Sequence, residues 1–166
     1  MSNKKMSAKR LAELSMLTAA ALIIFVIELG FPQLSPVPYV KLGLANIITV
    51  YCVYKYKPWE AAMVTGVRVF LGALFAASFT TILFSAAGAF LCLAGMIPVS
   101  RLFPKLPIWL CSTIGAILHN IGQMAAAVAY FGSFAPAVYL PIMLLSGIIA
   151  GAFTGICAQL VIKRIR

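Results

Sequence analysis

His119, Asn120 and Gln123 stand together near the centre of an apolar run from Pro107 to Phe131, within Ile117-Leu118-His119-Asn120-Ile121-Gly122-Gln123. His119 is the only histidine in the chain. On a helix, spacings of four (His119 to Gln123) and three (Asn120 to Gln123) put these side chains on one polar stripe of an otherwise apolar rod. Such a stripe is costly against lipid and should face protein or a cavity. Two chemistries fit it: directional hydrogen bonds to a small molecule, or hydrogen bonds that join neighbouring helices. Arg68 raises the same question more sharply, because it lies near the middle of another apolar run, one turn before Gly72. A mid-membrane arginine costs several kcal/mol unless it meets an anion, a dipole or water. Its partner is either an anionic or carbonyl group of a ligand, or an internal group such as Glu28 or a helix C-terminus. Asn46, at the end of Lys41-Leu42-Gly43-Leu44-Ala45-Asn46, adds an amide about one turn inside the membrane.

The chain that must position these groups has 166 residues, 63% of them hydrophobic and 10% charged. Its mean hydropathy is +1.06. Soluble domains average about 25% charged residues, so this composition describes a polytopic membrane protein. The length allows one domain with no separate soluble catalytic module. A net charge of +10 would suggest nucleic acid in a soluble protein. Here the basic residues flank apolar runs, where topology accounts for them, and no nucleic acid partner is expected.

Six membrane helices are expected, over Leu11 to Leu29, Val40 to Tyr54, Glu60 to Ala77, Phe79 to Ile97, Pro107 to Phe131 and Val138 to Ile162. The second is short for a full span and reads as tilted or partly re-entrant. Pro98 is expected to end the fourth. Between the first and second, Gly30 to Tyr39 holds Pro32, Pro36 and Pro38 and cannot be regular helix. That loop is either a plain connector or a cover over a site. The organisation is a basic segment 1–10, one six-helix domain 11–162 and a basic segment 163–166.

Small residues suggest where helices approach closely. Ala8, Ala12, Ser15 and Ala19 form one ridge at the start of the first helix, for an outside partner or for packing within the bundle. Gly147, Gly151 and Gly155 recur every four residues in the last helix. Cys52, Cys92, Cys111 and Cys157 fall in or beside different apolar runs without metal-ligand spacing, and read as small apolar packers.

Several chemistries lack their residues. The chain has no aspartate, and its three acids, Glu13, Glu28 and Glu60, lie far apart in sequence. Holding Mg²⁺ and diphosphate through clustered carboxylates is therefore not expected. No G-x-x-x-x-G-K-[ST] phosphate loop is present. No metal site or cofactor is expected, and energised work needs another chain.

The segments Lys41-Leu42-Gly43-Leu44-Ala45-Asn46, Arg68-x-x-x-Gly72 and His119-Asn120-x-x-Gln123 resemble the bacterial Gx transporter family, also labelled heptaprenyl diphosphate synthase component I. That family is similar to the substrate-binding S components of energy-coupling factor transporters. The resemblance implies an S-component-like six-helix bundle in the bacterial cell membrane, with a small-molecule site open to the outside. It also implies a membrane coupling subunit and two cytoplasmic ATPases as partners, docked through small residues of the first helix. Asn46, Arg68, His119, Asn120 and Gln123 would bind substrate, and Ala8, Ala12, Ser15 and Ala19 would meet the partner. The synthase label conflicts with a membrane chain that has no aspartate. The expectation is a transport subunit rather than an enzyme, the alternative being a non-catalytic accessory or scaffold of isoprenoid or menaquinone metabolism.

Basic residues orient the bundle. With the N-terminus cytoplasmic, inner segments collect 11 of 13 basic residues, outer segments hold Lys41 alone, and Arg68 is in the membrane. Both termini are thus expected in the cytoplasm. Lys57→Cys and Arg101→Cys should react with impermeant thiol reagents only from the cytoplasmic side. Labelling of both from outside would reverse the topology.

Overall fold

The computed structural model describes residues 7–30 and 43–164. Among them the regular structure is helical: α1 (Ala8–Gly30), α2 (Asn46–Lys55), α3 (Pro58–Phe75), α4 (Phe79–Leu102), α5 (Ile108–Phe131) and α6 (Leu140–Arg164). A 3-10 turn over Ala135–Tyr139 leads into α6. The loop from Phe31 to Tyr39, and Lys41 with Leu42, lie outside the described residues.

Local chemistry sets the helix ends. Ser7 starts α1 by accepting the Arg10 backbone N–H on its hydroxyl at 3.2 Å, so the helix begins a turn earlier than its apolar run. Pro58 occupies the first turn of α3, and the Glu60 carboxylate caps that turn by accepting the Lys57 N–H at 2.8 Å. Pro98 does not end α4, which continues to Leu102. Its ring removes one N–H, yet the ladder resumes beyond it, with Phe103 N–H donating to the Val99 carbonyl at 3.0 Å. Ser100 meanwhile donates its hydroxyl to the Ile97 carbonyl at 2.9 Å.

Four helical segments are long and apolar enough to cross a membrane: Ala8–Gly30, Phe79–Leu102, Ile108–Phe131 and Ala135–Arg164. This marks a membrane protein. α2 has 10 residues, about 15 Å of helix against a hydrocarbon core of about 30 Å. α3 has 18 residues but carries both Glu60 and Arg68. The outer surface is apolar, with Phe79 82% and Phe90 72% exposed. In water that surface would be a liability; in lipid it is solvated.

α2 is the central element despite its length. Lys55 is its one exposed residue, and it packs against α1, α3, α4 and α6. The packed apolar core is built at one end of the bundle. It joins Leu14 of α1, Val50, Cys52 and Val53 of α2, Val64 of α3, Met96 of α4, Cys111 of α5 and Ala158 of α6. This is the end that carries Lys55, Lys57, Arg101, Lys105 and Lys163. Three of the four cysteines are buried and all four are free thiols, as small packers should be. Arg10 clamps that end, its guanidinium forking onto Glu60 at 3.0 and 2.9 Å and lying 4.0 Å from the centre of the Tyr56 ring.

α5 packs along both α4 and α6. The glycines of α6 make this possible. A Cβ at Gly151 would lie 2.8 Å from the Thr113 Cα and the Ala116 Cβ of α5, while Gly155 faces Trp109 and Gly147 faces Asn120. Ser112 and Thr154 share a hydroxyl hydrogen bond at 3.2 Å across the same seam. The Ala8, Ala12, Ser15 and Ala19 ridge is not part of such a seam, because all four residues are exposed.

Gly151→Ala should lower the melting temperature of the purified protein, by an overpacking cost of about 1–3 kcal/mol. Gly66→Ala, at an exposed glycine with nothing within 4 Å of its would-be Cβ, should hold or raise it by up to about 1 kcal/mol through helix propensity. Equal effects in thermal unfolding would show that the α5–α6 seam is not close-packed.

Candidate functional site

The buried face of α3 is Ala61, Val64, Thr65, Arg68 and Gly72, a three-and-four spacing that points one stripe inward. Arg68 therefore has its place assigned by helix geometry, and only 8% of the residue is exposed. Its Nη2 donates to Asn46 Oδ1 at a long 3.4 Å, and its Nε has no hydrogen-bond partner. Among the described residues the ion pairs are Arg10 with Glu13 and Arg10 with Glu60, so no carboxylate lies within salt-bridge distance of Arg68.

Glu28, the internal partner that the sequence offered, borders the same cavity as Arg68 and attracts it electrostatically, but does not form a salt bridge with it. Its carboxylate accepts the backbone N–H of Gly43, just ahead of α2. Gly43 has φ of +67°, a left-handed conformation that favours glycine, and this turns the chain so that α2 starts at the site. Asn46 is the first residue of α2.

Arg68 and Asn46 line a cavity of about 140 Å³ together with His119, Asn120 and Gln123 of α5. All five substrate-site candidates thus border one space. Their elements reach it by close approach. A Cβ at Gly88 of α4 would be 2.9 Å from the His119 ring and from Gln123 Cγ, and one at Gly72 would be 2.9 Å from the Phe25 ring of α1. Asn120 donates from Nδ2 to the Met143 carbonyl of α6. Ser146 donates its hydroxyl to the same carbonyl at 2.9 Å. For Asn120 the two readings of the polar stripe coexist, since it joins helices and borders the cavity.

The lining also includes groups that sequence patterns did not single out as a site: Glu28, Thr49, Ser85 and Ser146. Thr49 follows Asn46 by three residues and so shares its helix face. Ser85 and Ser146 gave no signal beyond being hydroxyls in apolar helices, which ordinarily satisfy themselves on the preceding turn. Among the described residues the lining thus combines one cation, one carboxylate, amides, an imidazole and hydroxyls within apolar walls. Such a set can hold an oxyanion or carbonyl by a planar donor fork and orient the rest by neutral hydrogen bonds. Among the described residues no group of three His, Cys, Asp or Glu is placed to hold a metal.

The other sequence candidates, Ala8, Ala12, Ser15 and Ala19, stand apart from this cavity on the outer face of α1. Searches of curated proteins and of solved structures gave no match. The family profile described as heptaprenyl diphosphate synthase component I matches residues 17–161. The match takes in α2 to α5 whole, α1 from Leu17 onward and α6 as far as Val161, and the chain belongs to the heptaprenyl diphosphate synthase component I family.

Proposed function

We propose that the chain is a membrane-embedded substrate-capture subunit, similar to the S components of energy-coupling factor transporters. One observation carries this reading: Arg68 is buried with no carboxylate in salt-bridge distance among the described residues, and its Nε is unpaired beside a cavity. A cation kept that way in an apolar bundle is a stability cost that a bound anion or carbonyl offsets. Asn46, His119, Asn120 and Gln123 add neutral hydrogen bonds around it.

In this reading the bundle crosses the bacterial cell membrane six times, with both termini in the cytoplasm. α2 and α3 complete the crossing. The packed core then plugs the cytoplasmic half and the cavity belongs to the outer half. ATP hydrolysis takes place on partner chains, and the subunit itself is not an enzyme. The second reading follows the family's description: a non-catalytic accessory that recruits an enzyme of isoprenoid or menaquinone metabolism to its basic end. The Asn120 to Met143 bond favours it to the extent that the polar stripe serves helix packing.

Native mass spectrometry of gently purified protein should reveal a retained small molecule. With that molecule as probe, Arg68→Gln should keep the fold and weaken binding by about 1.5–3 kcal/mol, a charge-assisted bond lost. His119→Ala and Gln123→Ala should each cost about 0.5–1.5 kcal/mol, and Arg68→Lys should not restore full affinity. A lower melting temperature for Arg68→Gln with unchanged affinity would make Arg68 structural and sink the capture reading.

The exposed ridge of α1 is the proposed contact with a membrane coupling subunit, because small side chains allow close helix approach. Ala12→Leu and Ser15→Leu should abolish co-purification with that subunit and leave ligand affinity within a few-fold. Undiminished co-purification would move the contact to another face.

A further inference from the structure

A second chamber adjoins the one around Arg68. It measures about 570 Å³ and is walled by Met124, Ala127 and Phe131 of α5 and by Ala135, Pro136 and Tyr139 of the 3-10 turn. Phe84, Gln123 and Met143 line both chambers, so the two meet at those side chains. Their walls differ in kind. The inner chamber presents a guanidinium, a carboxylate, amides and hydroxyls, while the described residues of the outer one are apolar apart from Gln123, Ser133 and the Tyr139 hydroxyl. Phe84 is held there by Tyr130 and Phe131, with ring centres 5.9 and 6.5 Å away.

Size separates the possible occupants. The inner chamber, at 140 Å³, is about a quarter of the outer 570 Å³, so the bulkier part of a ligand belongs in the outer one. Sites for whole drug-sized ligands begin near 300 Å³, and the outer chamber alone exceeds that. A small polar solute would fill the inner chamber and leave the outer walls wetted. A wholly apolar molecule would fill the outer chamber and leave Arg68 unpaired.

We propose that the two chambers hold one elongated amphipathic ligand, with an oxyanion head on Arg68 and an apolar tail between Phe84, Phe131 and Tyr139. The proposal rests on the capture reading and names its substrate class. The head follows from the open Nε and from the planar fork of a guanidinium, which matches carboxylate or phosphate. Glu28 lines the same inner chamber, but its carboxylate is held by the Gly43 N–H. The tail follows from the apolar walls and from their position. Phe131 and Tyr139 are exposed, and Phe134 and Val138 beside them are 80% and 78% exposed. The outer chamber therefore borders an apolar rim at the α5–α6 connection, where a tail dissolved in lipid can enter sideways.

The test uses the full chain in lipid nanodiscs, with affinities for ethyl phosphate, decyl phosphate, decanoate and decanol measured by displacement of a decyl phosphate that carries a terminal diazirine. Decyl phosphate or decanoate should bind at least tenfold more tightly than both ethyl phosphate and decanol, and the tighter of the two identifies the head. Photolabelling should map to residues 124–139. Arg68→Gln should erase the preference for the oxyanions over decanol. Ala127→Trp, or Ala135→Trp if the first variant melts early, should weaken decyl phosphate at least tenfold more than ethyl phosphate. If ethyl and decyl phosphate bind alike through Arg68, the tail assignment is overturned and the capture reading survives. If decanol equals the oxyanions and Arg68→Gln changes nothing, the outer chamber takes lipid only, and the anion head falls together with the Arg68 role in capture.

Discussion

A guanidinium buried in an apolar bundle without a carboxylate is the constraint around which this structure is arranged. Glu28 accepts the Gly43 N–H rather than pairing with Arg68, and Asn46 supplies one long contact. The charge is thus met by a neutral amide, by the field of a carboxylate that stays beyond salt-bridge distance, and by whatever enters the cavity. By insertion scales alone, an arginine at the centre of a membrane helix costs roughly 2.5–3.5 kcal/mol. A fold that keeps this cost must recover it elsewhere, and the packing shows where.

Recovery comes from the core that adjoins the cavity and extends to the basic end of the bundle, Val50 and Met96 belonging to both. There the core cluster is continuous over all six helices, and Arg10, Glu60 and the Lys57 N–H form a paired polar clamp. Two arginines on neighbouring helices therefore have opposite roles. Arg10 has two carboxylates and an aromatic face, and it ties α1 to α3. Arg68 has neither and borders a cavity. Stability concentrated in one half allows the other to stay hollow, the usual relation between a rigid scaffold and a site with unmet polar groups.

Particular residues show what a sequence can and cannot announce here. The candidate polar groups were legible because a polar side chain in an apolar run is improbable by chance, and Arg68, His119, Asn120, Gln123 and Asn46 do border one space. Helices were legible from apolar runs, but their ends were not. Ser7 extends α1 by a cap, and Pro98 is absorbed within α4 because one missing N–H near a helix end costs little. Ser85, Thr49 and Ser146 were not legible, since a hydroxyl on a helix carries no record of which neighbour it faces. Nor was the division between a polar and an apolar chamber, which depends on how Phe84 and Met143, from different helices, meet at Gln123.

The family's description as a component of a prenyl diphosphate synthase can be weighed against the chain's own carboxylates. There are three in all, and no aspartate. Glu60 accepts from Arg10 and from the Lys57 N–H, Glu13 meets Arg10, and Glu28 meets the Gly43 N–H. Each is used by the fold, and they are distributed between the clamp at the basic end and the start of α2. Binding a diphosphate through metal ions needs several carboxylates converging on one point. The cation that borders the cavity among the described residues is Arg68, and a guanidinium can pair with an oxyanion without a metal. A role as the component that holds an anionic, tailed molecule in the membrane, while other chains do the chemistry or supply the energy, accommodates the family's description and the residues together.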